Sequence, residues 1–213
     1  MEGFTLSYSQ CGEDLILKTI FGKNKHNGFY VDVGCNNPIQ KSNTFKLYLK
    51  GWRGINIDGN QNLIDKFRKI RRRDICLAEL ISDQKREIIF FQDDSNHELS
   101  SVDEKIGQAL KRDSRKVIEL KRTAKTLEEI FDTHLSGEKI DLLTVDVENH
   151  DLQVLKGNNF EKYRPRIICI EHGGGLEELI KSDINTFLQE KNYTVLAYSS
   201  PNAYFKDQQI TNI

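Results

Sequence analysis

Four acidic residues stand at the ends of apolar, strand-like runs: Asp32, Asp58, Asp146 and Glu171. Three more ionisable residues stand beside the last two: Glu148, His150 and His172. Because open parallel sheets bind ligands along the carboxyl edge of their strands, side chains placed there would converge on one site. A single strand-end carboxylate is more often the N-cap of the next helix. The whole set together therefore favours a reaction centre.

The first of these strands opens into a turn of small and polar residues, FYVDVGCNNP from Phe29 to Pro38. Gly34 would let the backbone approach a ligand closely, and the turn would present amides to it. Asp58 ends the next apolar run, GINID, at a spacing suited to an acid that binds a ribose. The turn lacks the later glycines of the dinucleotide fingerprint GxGxxG. The pair still predicts a site for a nucleotide-like cofactor.

The elements that must position these residues alternate along the chain, which is typical of a mostly parallel sheet with helices on both faces. We predict seven strands: Phe29 to Val33, Gly54 to Asp58, Ile75 to Ile81, Ile88 to Gln92, Ile140 to Asp146, Ile167 to Glu171 and Tyr193 to Tyr198. We predict six helices: Leu15 to Phe21, Thr44 to Lys50, Leu63 to Ile70, Leu127 to Leu135, Asp151 to Lys156 and Leu176 to Lys191.

Three stretches outside this pattern need an interpretation of their own. The polar stretch from Asp93 to Asp103 and the basic stretch from Lys105 to Lys125 have weak patterning, and we interpret them as a mobile cover over the site. The arginine run IRRRD, from Ile70 to Asp74, we interpret as a solvated face rather than a phosphate site.

Length and composition favour one domain spanning residues 1–213, because 213 residues with 38% hydrophobic content suit a single core. The formal net charge of −1 gives no general attraction to nucleic acid or to anionic membranes. No apolar run reaches the roughly 20 residues that span a bilayer, and the first residues do not form a secretory signal. The four scattered cysteines fit reduced thiols. We therefore expect a cytoplasmic protein.

The chain resembles FkbM-type, S-adenosylmethionine-dependent O-methyltransferases. Four blocks match that family in its order: YSQCGED from Tyr8 to Asp14, FYVDVGCNNPIQKSNT from Phe29 to Thr44, GWRGINIDGN from Gly51 to Asn60, and IDLLTVDVENHDLQVLKG from Ile140 to Gly157. A fifth block, CIEH from Cys169 to His172, follows. The family more often has glycine where Asn149 stands. The resemblance implies a Rossmann-like class I methyltransferase fold, with a central, mostly parallel seven-stranded sheet and helices on both faces.

The resemblance also implies which residues hold the cofactor, S-adenosylmethionine. Asp32 and Gly34 would line its methionine part, and Asp58 would accept hydrogen bonds from its ribose hydroxyls. The segment that closes over the cofactor would contribute Gln10, Gly12 and Glu13, although a capped helix start at Ser9 explains that segment equally well. The remaining predicted contacts of the cofactor site are Asn36, Ser82 on the adenine side, and Asp146.

Methyl transfer to a hydroxyl needs help with the proton, since a hydroxyl is a poor nucleophile. Either a general base such as Glu148 or His150 takes the proton, or a divalent cation lowers the pKa of the hydroxyl. The resemblance implies Mg²⁺ or Mn²⁺ ligands at Asp146, Glu171 and His172, and a catalytic set of Asp146, Glu148, His150 and Glu171. Two alternatives stay open: Asp146 could cap the following helix, and Glu171 could pair with Arg166.

The implied acceptor is a hydroxyl of a small molecule or glycan, favouring a deoxyhexose such as rhamnose or fucose. The polar side chains suited to a sugar are Asn36, Asn37, Ser42, Asn43, His97 and Asn149. The alternatives are a polyketide hydroxyl, a ribose hydroxyl of nucleic acid, a nicotinamide-dependent oxidoreductase and a non-catalytic binding domain. No nucleic-acid partner is expected, whereas a homodimer or a fusion to glycosyltransferase domains is compatible with the sequence.

Overall fold

The computed structural model describes residues 5–22, 25–94, 100–113 and 116–210, and its centre is a seven-stranded sheet. In spatial order its strands are β3 (Ile75–Leu77), β2 (Arg53–Ile57), β1 (Phe29–Val33), β7 (Leu142–Val145), β8 (Ile167–Glu171), β10 (Asn202–Asp207) and β9 (Tyr193–Ser199). Strand β10 runs antiparallel to both of its neighbours, and the other pairs are parallel. The predicted mostly parallel seven-stranded sheet is thus confirmed.

A second, three-stranded sheet lies beside it, in the order β4 (Leu80–Ile81), β6 (Val117–Lys125) and β5 (Arg86–Asp93). We call it the accessory sheet. It corrects the strand predictions in two ways. The run from Ile75 to Ile81 divides between the two sheets, and the run from Ile88 to Gln92 belongs to the accessory sheet. The seventh central strand is β10, which the sequence pattern did not predict.

Eight helices connect the strands within the described residues. They are α1 (Glu13–Ile20), α2 (Phe45–Leu49), α3 (Gln61–Ile70), α4 (Glu104–Arg112), α5 (Leu127–His134), α6 (Asp151–Lys156), α7 (Leu176–Lys181) and α8 (Asp183–Glu190). The predicted helix from Leu176 to Lys191 is two helices, because Ser182 leaves helical geometry and caps α8 through the amide of Asn185. The basic stretch from Lys105 to Lys125, predicted as part of a mobile cover, contains most of α4 and all of β6.

Helices cover both faces of the central sheet, since successive side chains of a strand point to opposite faces. Phe29, Val31 and Val33 of β1 belong to a core cluster with residues of α5, α6 and α8. Tyr30 points the other way, into a cluster with residues of α1 and α2. The structure therefore confirms the doubly wound architecture. No helix in the described ranges is both long and apolar enough to cross a membrane.

The arginine run after α3 is only in part the predicted solvated face: Arg72 and Arg73 are exposed, but Arg71 is not, which corrects its interpretation. Arg71 is fully buried, and its guanidinium donates to the carbonyl oxygen of Pro38 at 2.8 Å, to Ser42 Oγ at 2.8 Å and to Tyr30 Oη at 3.0 Å. These bonds join the end of α3 to the segment 38–44, which follows the β1 turn. A buried cation with this many partners fixes its surroundings because each partner would be left unsatisfied without it.

The turn after β1 depends on Gly34. Its φ is +79°, and a Cβ placed on it would lie 1.8 Å from the backbone carbonyl oxygen of Asp146. The amide of Gly34 donates to the carbonyl of Ile57, and the amide of Asp146 donates to the carbonyl of Val33. The carboxyl ends of β2, β1 and β7 are therefore joined at this one residue.

We predict that Gly34→Ala lowers the free energy of unfolding by at least about 3 kcal/mol, because it adds a backbone collision to an unfavourable φ. Gly137→Ala is the matched control. Its φ is +107°, but a Cβ there meets nothing within 4 Å, so only the conformational cost of about 1–2 kcal/mol applies. Urea unfolding of both variants measures the difference. Equal losses would contradict the close approach at Gly34.

Candidate functional site

A cavity of about 360 Å³ opens at the carboxyl edge of the central sheet. Nine predicted site residues line it: Gln10, Asp32, Gly34, Asn36, Asp58, Asp146, Glu148, His150 and Glu171. Four other predicted residues, all within the described part of the chain, are not among its lining residues: Gly12, Glu13, Ser82 and His172. The structure thus brings together the acidic strand ends that the sequence pointed to.

Asp58 is held in place by the backbone on both sides of it. Its carboxylate accepts one hydrogen bond from the amide of Asn36 at 3.1 Å and another from the amide of Asn60 at 2.8 Å. Burial raises the pKa of Asp58, and these two amide bonds oppose that rise. Each oxygen keeps a second lone pair, so the carboxylate can still accept hydrogen bonds from a ligand.

Asp32 lies deeper, at the end of β1. Thr44 donates to its carboxylate from Oγ1 at 2.7 Å, and Arg71 in turn lies 3.4 Å from the same hydroxyl oxygen. Burial raises the pKa of Asp32 to about 6, with the Thr44 bond and the Arg71 charge acting in the opposite direction. Arg71 is therefore an indirect support of this carboxylate, and the sequence pattern did not reveal it.

One wall of the cavity is apolar and comes largely from the accessory sheet. Its members are Ile57 and Leu63 beside the β2 turn, Leu80, Ile81 and Phe90 from β4 and β5, and Val102. A Cβ on Gly59 would lie 2.5 Å from Leu80 Cδ2 and 2.7 Å from Phe90 Cζ. This apolar wall therefore lies directly beside Asp58.

Four carboxyl groups cluster on the opposite side, from Asp146, Glu148, Asp151 and Glu171. Asp146 borders the cavity. Burial raises its pKa well above the ordinary value, and the charge of Glu171 is the second cause of this rise. Burial, then the charge of Glu171, also raise the pKa of Glu148. A side-chain hydrogen bond to Glu171 also contributes to the raised pKa of Asp146, which favours its protonated form.

The loop between β7 and α6 has a strained backbone at the site. Glu148 and Asn149 both have positive φ, at +54° and +69°. Asparagine tolerates this conformation better than most residues, which suits it to position 149. Ser101 donates from Oγ to the carbonyl of Glu148 at 3.1 Å, so the segment before α4 helps to hold the strained loop.

His150 borders the cavity, and its Nε2 lies 3.0 Å from Ser82 Oγ. Ser82 donates its one hydroxyl proton to Asp83 at 2.9 Å, so it accepts from His150 Nε2, and Nδ1 is left as the basic nitrogen. Burial, then the charge of Arg86, lower the pKa of His150 and favour the neutral ring. Ser82 is thus a support for His150 and is not itself on the cavity surface.

The N-terminal segment is fixed by α1. Glu13 accepts from the amide of Cys11 at 2.8 Å and from Asn202 Nδ2 at 2.9 Å. Asp14 accepts from the amide of Tyr8 at 2.9 Å and from Ser7 Oγ at 2.7 Å. Gln10 alone of the predicted trio borders the cavity, while Gly12 is the N-cap of α1. Glu13 has structural partners here, and its role in cofactor binding stays a prediction.

The metal prediction finds no support in the arrangement of the side chains. Among the described residues, no three His, Cys, Asp or Glu side chains are grouped so that they could hold a metal ion. His172 Nε2 is buried without a hydrogen-bond partner in the described structure, away from the cavity lining. Asp146 and Glu171 pair with each other, as described above.

The structure supports neither of the two structural alternatives for these acids. The N-cap of α6 is His150, and the carboxylate of Asp151 accepts from the amide of Val147 at 3.1 Å, so Asp146 is not the cap. Arg166 forms an ion pair with Asp141 at 3.1 Å, near the opposite end of β8. The predicted polar residue His97 lies outside the described residues, as does part of the stretch from Asp93 to Asp103.

Comparison with protein families agrees with this geometry. The family model described as the methyltransferase FkbM domain matches residues 32–195. That range begins at Asp32 and includes Asp58, Asp146 and Glu171. No curated protein matches the chain.

Asp151 gives the cluster a measurable pH dependence. Burial raises the pKa of Asp151 to about 7 in the folded state, from an ordinary value of 3.8. Because the folded state keeps this proton up to a higher pH than the unfolded chain, the protein loses stability as pH rises between these values. We predict that Asp151→Asn reduces this loss by about 1–3 kcal/mol, because it removes the carboxyl that titrates. The amide oxygen of asparagine can still accept the hydrogen bond from the amide of Val147.

Urea unfolding between pH 4.5 and pH 8 measures the effect. Asp65→Asn is the control, since Asp65 lies on the exposed side of α3 with half of its side chain accessible. If both variants keep the pH dependence of the unmodified protein, the assignment of a retained proton to Asp151 is wrong.

Proposed function

The chain belongs to the FkbM methyltransferase family, and from this premise we propose that it transfers a methyl group from S-adenosylmethionine to a hydroxyl group of a sugar. The observation that carries the proposal is the cavity at the carboxyl edge, where an amide-held carboxylate faces an apolar wall beside a group of carboxyls. A nucleoside needs the first two features, and proton transfer needs the third.

The residues present fit this cofactor. Gly34 and Gly59 line the cavity, and because they have no side chain, the Asp146 carbonyl packs directly on the first turn and Leu80 and Phe90 pack directly on the second. Asp58 would accept from the ribose hydroxyls, with the base against Leu80 and Phe90. Asp32, on the other side of Gly34, would face the methionine part. The bound cofactor would supply an electrophilic methyl carbon.

Two groups of the chain are suited to take the acceptor proton. Glu148 lines the cavity, and its raised pKa makes it a stronger base than an ordinary carboxylate. His150 is the other, through Nδ1. Asp146 and Glu171 also line the cavity and would place carboxyl oxygens next to the cationic cofactor. Because the side chains of the described residues do not form a metal site, we assign no step to a metal ion.

Neutral polar groups around the cavity suit a sugar acceptor. Gln10, Asn36, Asn43, Ser100 and Ser101 line the opening and supply donors and acceptors without adding net charge. The balanced charge of the chain gives no observation in favour of a nucleic-acid acceptor. A deoxyhexose on a glycan or glycoconjugate is therefore the acceptor class that we propose.

We predict micromolar binding of S-adenosylhomocysteine, which Asp58→Ala weakens about 30- to 100-fold because two charge-assisted hydrogen bonds are lost. Asp65→Ala, an exposed carboxylate of the adjacent helix, should leave affinity unchanged. Calorimetric titration measures this, with NAD as the competing ligand class. Absence of S-adenosylhomocysteine binding by the unmodified protein, or preferential binding of NAD, would refute the proposal.

We predict that Glu148→Gln keeps the affinity for S-adenosylhomocysteine within about threefold but lowers turnover by about 100-fold or more, because it removes a proton acceptor. The measurement is S-adenosylhomocysteine formation with a panel of deoxyhexose glycosides, after an acceptor has been found with the unmodified protein. Lys181→Gln, on the exposed face of α7, is the control. Loss of binding with unchanged turnover per bound cofactor would reverse the assigned roles.

A further inference from the structure

Arg122 extends from the accessory sheet to the cofactor side of the cavity. It lies on β6, a strand that the sequence pattern did not predict, and its guanidinium donates to the carbonyl of Gly59 and to the carbonyl of Ala78, the latter at 2.6 Å. Gly59 directly follows Asp58, and Ala78 follows β3. One side chain thus joins three segments that belong to two different sheets.

The bond to Gly59 acts on the turn that carries Asp58. The amides of Asn36 and Asn60 hold the two carboxylate oxygens, and Arg122 holds the carbonyl between Asp58 and Asn60. The turn has little freedom on its other side, because Leu80 and Phe90 lie where a side chain at Gly59 would be. Its position is therefore set by the accessory sheet as much as by β2.

The charge of Arg122, like its hydrogen bond to Gly59, favours ligand binding at Asp58. Burial raises the pKa of Asp58, and the nearby guanidinium opposes this rise, as do the two amides. A carboxylate accepts hydrogen bonds from two hydroxyl groups, whereas a protonated carboxyl must use one of its oxygens as a donor. A cation close to the turn therefore favours the form that binds a diol.

We propose that Arg122 is a positioning residue for cofactor binding, which holds the Asp58–Asn60 turn in its binding geometry from the accessory sheet. The inference rests on the proposed function, since it takes the ligand of Asp58 to be the nucleoside part of S-adenosylmethionine. It assigns the accessory sheet a purpose beyond covering the cavity: its stability and the cofactor affinity are linked through one guanidinium.

A purely structural role for Arg122 makes a different prediction. If Arg122 only joined the two sheets, its removal would lower stability and leave the ligand affinity of the folded protein unchanged. If it acts through Asp58, its effect on affinity must depend on the presence of that carboxylate. A double-mutant cycle separates the two roles because it measures that dependence directly.

The experiment is calorimetric titration with S-adenosylhomocysteine of the unmodified full chain and of Arg122→Gln, Arg122→Lys, Asp58→Asn and the Asp58→Asn/Arg122→Gln double variant. Lys121→Gln is the matched control. Lys121 is the preceding residue of β6, lies on the opposite face and pairs with Glu87 at the surface, with 69% of its side chain exposed. Thermal unfolding of each variant establishes that it is folded at the titration temperature.

We expect Arg122→Gln to weaken binding about tenfold and Arg122→Lys to weaken it by a smaller factor. Lys121→Gln should leave it unchanged. In the Asp58→Asn background, Arg122→Gln should weaken binding less than about twofold further. Unchanged affinity in Arg122→Gln, or a full tenfold loss in both backgrounds, would overturn the inference. Should Arg122→Gln not fold, Arg122→Lys decides: affinity equal to that of the unmodified protein would overturn it.

Failure of the proposed function has a separate signature. In that case the unmodified protein itself does not bind S-adenosylhomocysteine, so the variants have no affinity to lose. Binding by the unmodified protein together with an additive cycle overturns the role of Arg122 alone.

Discussion

The backbone carbonyl of Asp146 lies where a side chain at position 34 would begin, only 1.8 Å from an ideal Cβ. Strands β1 and β7 can therefore end side by side only if residue 34 is glycine. This close approach brings Asp32, Asp58 and Asp146 to one edge of the sheet. The cavity, its carboxylates and the space for a ligand all depend on that contact. The hydrogen bonds of Arg71 and Arg122 hold the segments around it.

The sequence predicted the parts of the fold that are buried on both faces. Strands β1, β2, β7 and β8 read as continuous apolar runs because helices cover both sides of a parallel sheet. Strand β6 could not be recognised in the same way, because VIELKRTAK has only one fully buried position and its pairing with β5 makes it a strand. Strand β10 was missed because NAYFKD has only three consecutive apolar residues, with polar residues on both sides of them.

The part of the site that lies at the ends of buried strands could also be predicted from the sequence. Carboxylates that end buried strands must converge in a parallel sheet, so Asp32, Asp58, Asp146 and Glu171 could be identified without coordinates. Residues that act through a tertiary contact could not. Arg71 sits in a run of three arginines beyond the end of α3, where helical periodicity no longer decides which one is buried. Arg122 lies on a strand whose position follows only from its partners.

The central claim is that one cavity holds the cofactor between Asp32 and Asp58, and a crystal structure of the chain with S-adenosylhomocysteine tests it most directly. The account predicts the ribose at Asp58, the base against Leu80 and Phe90, and the amino-acid end beside Asp32, with the sulfur nearest to the Asp146–Glu171 pair. Density for the ligand at another place on the molecule, or in this cavity with the nucleoside end reversed, would contradict it.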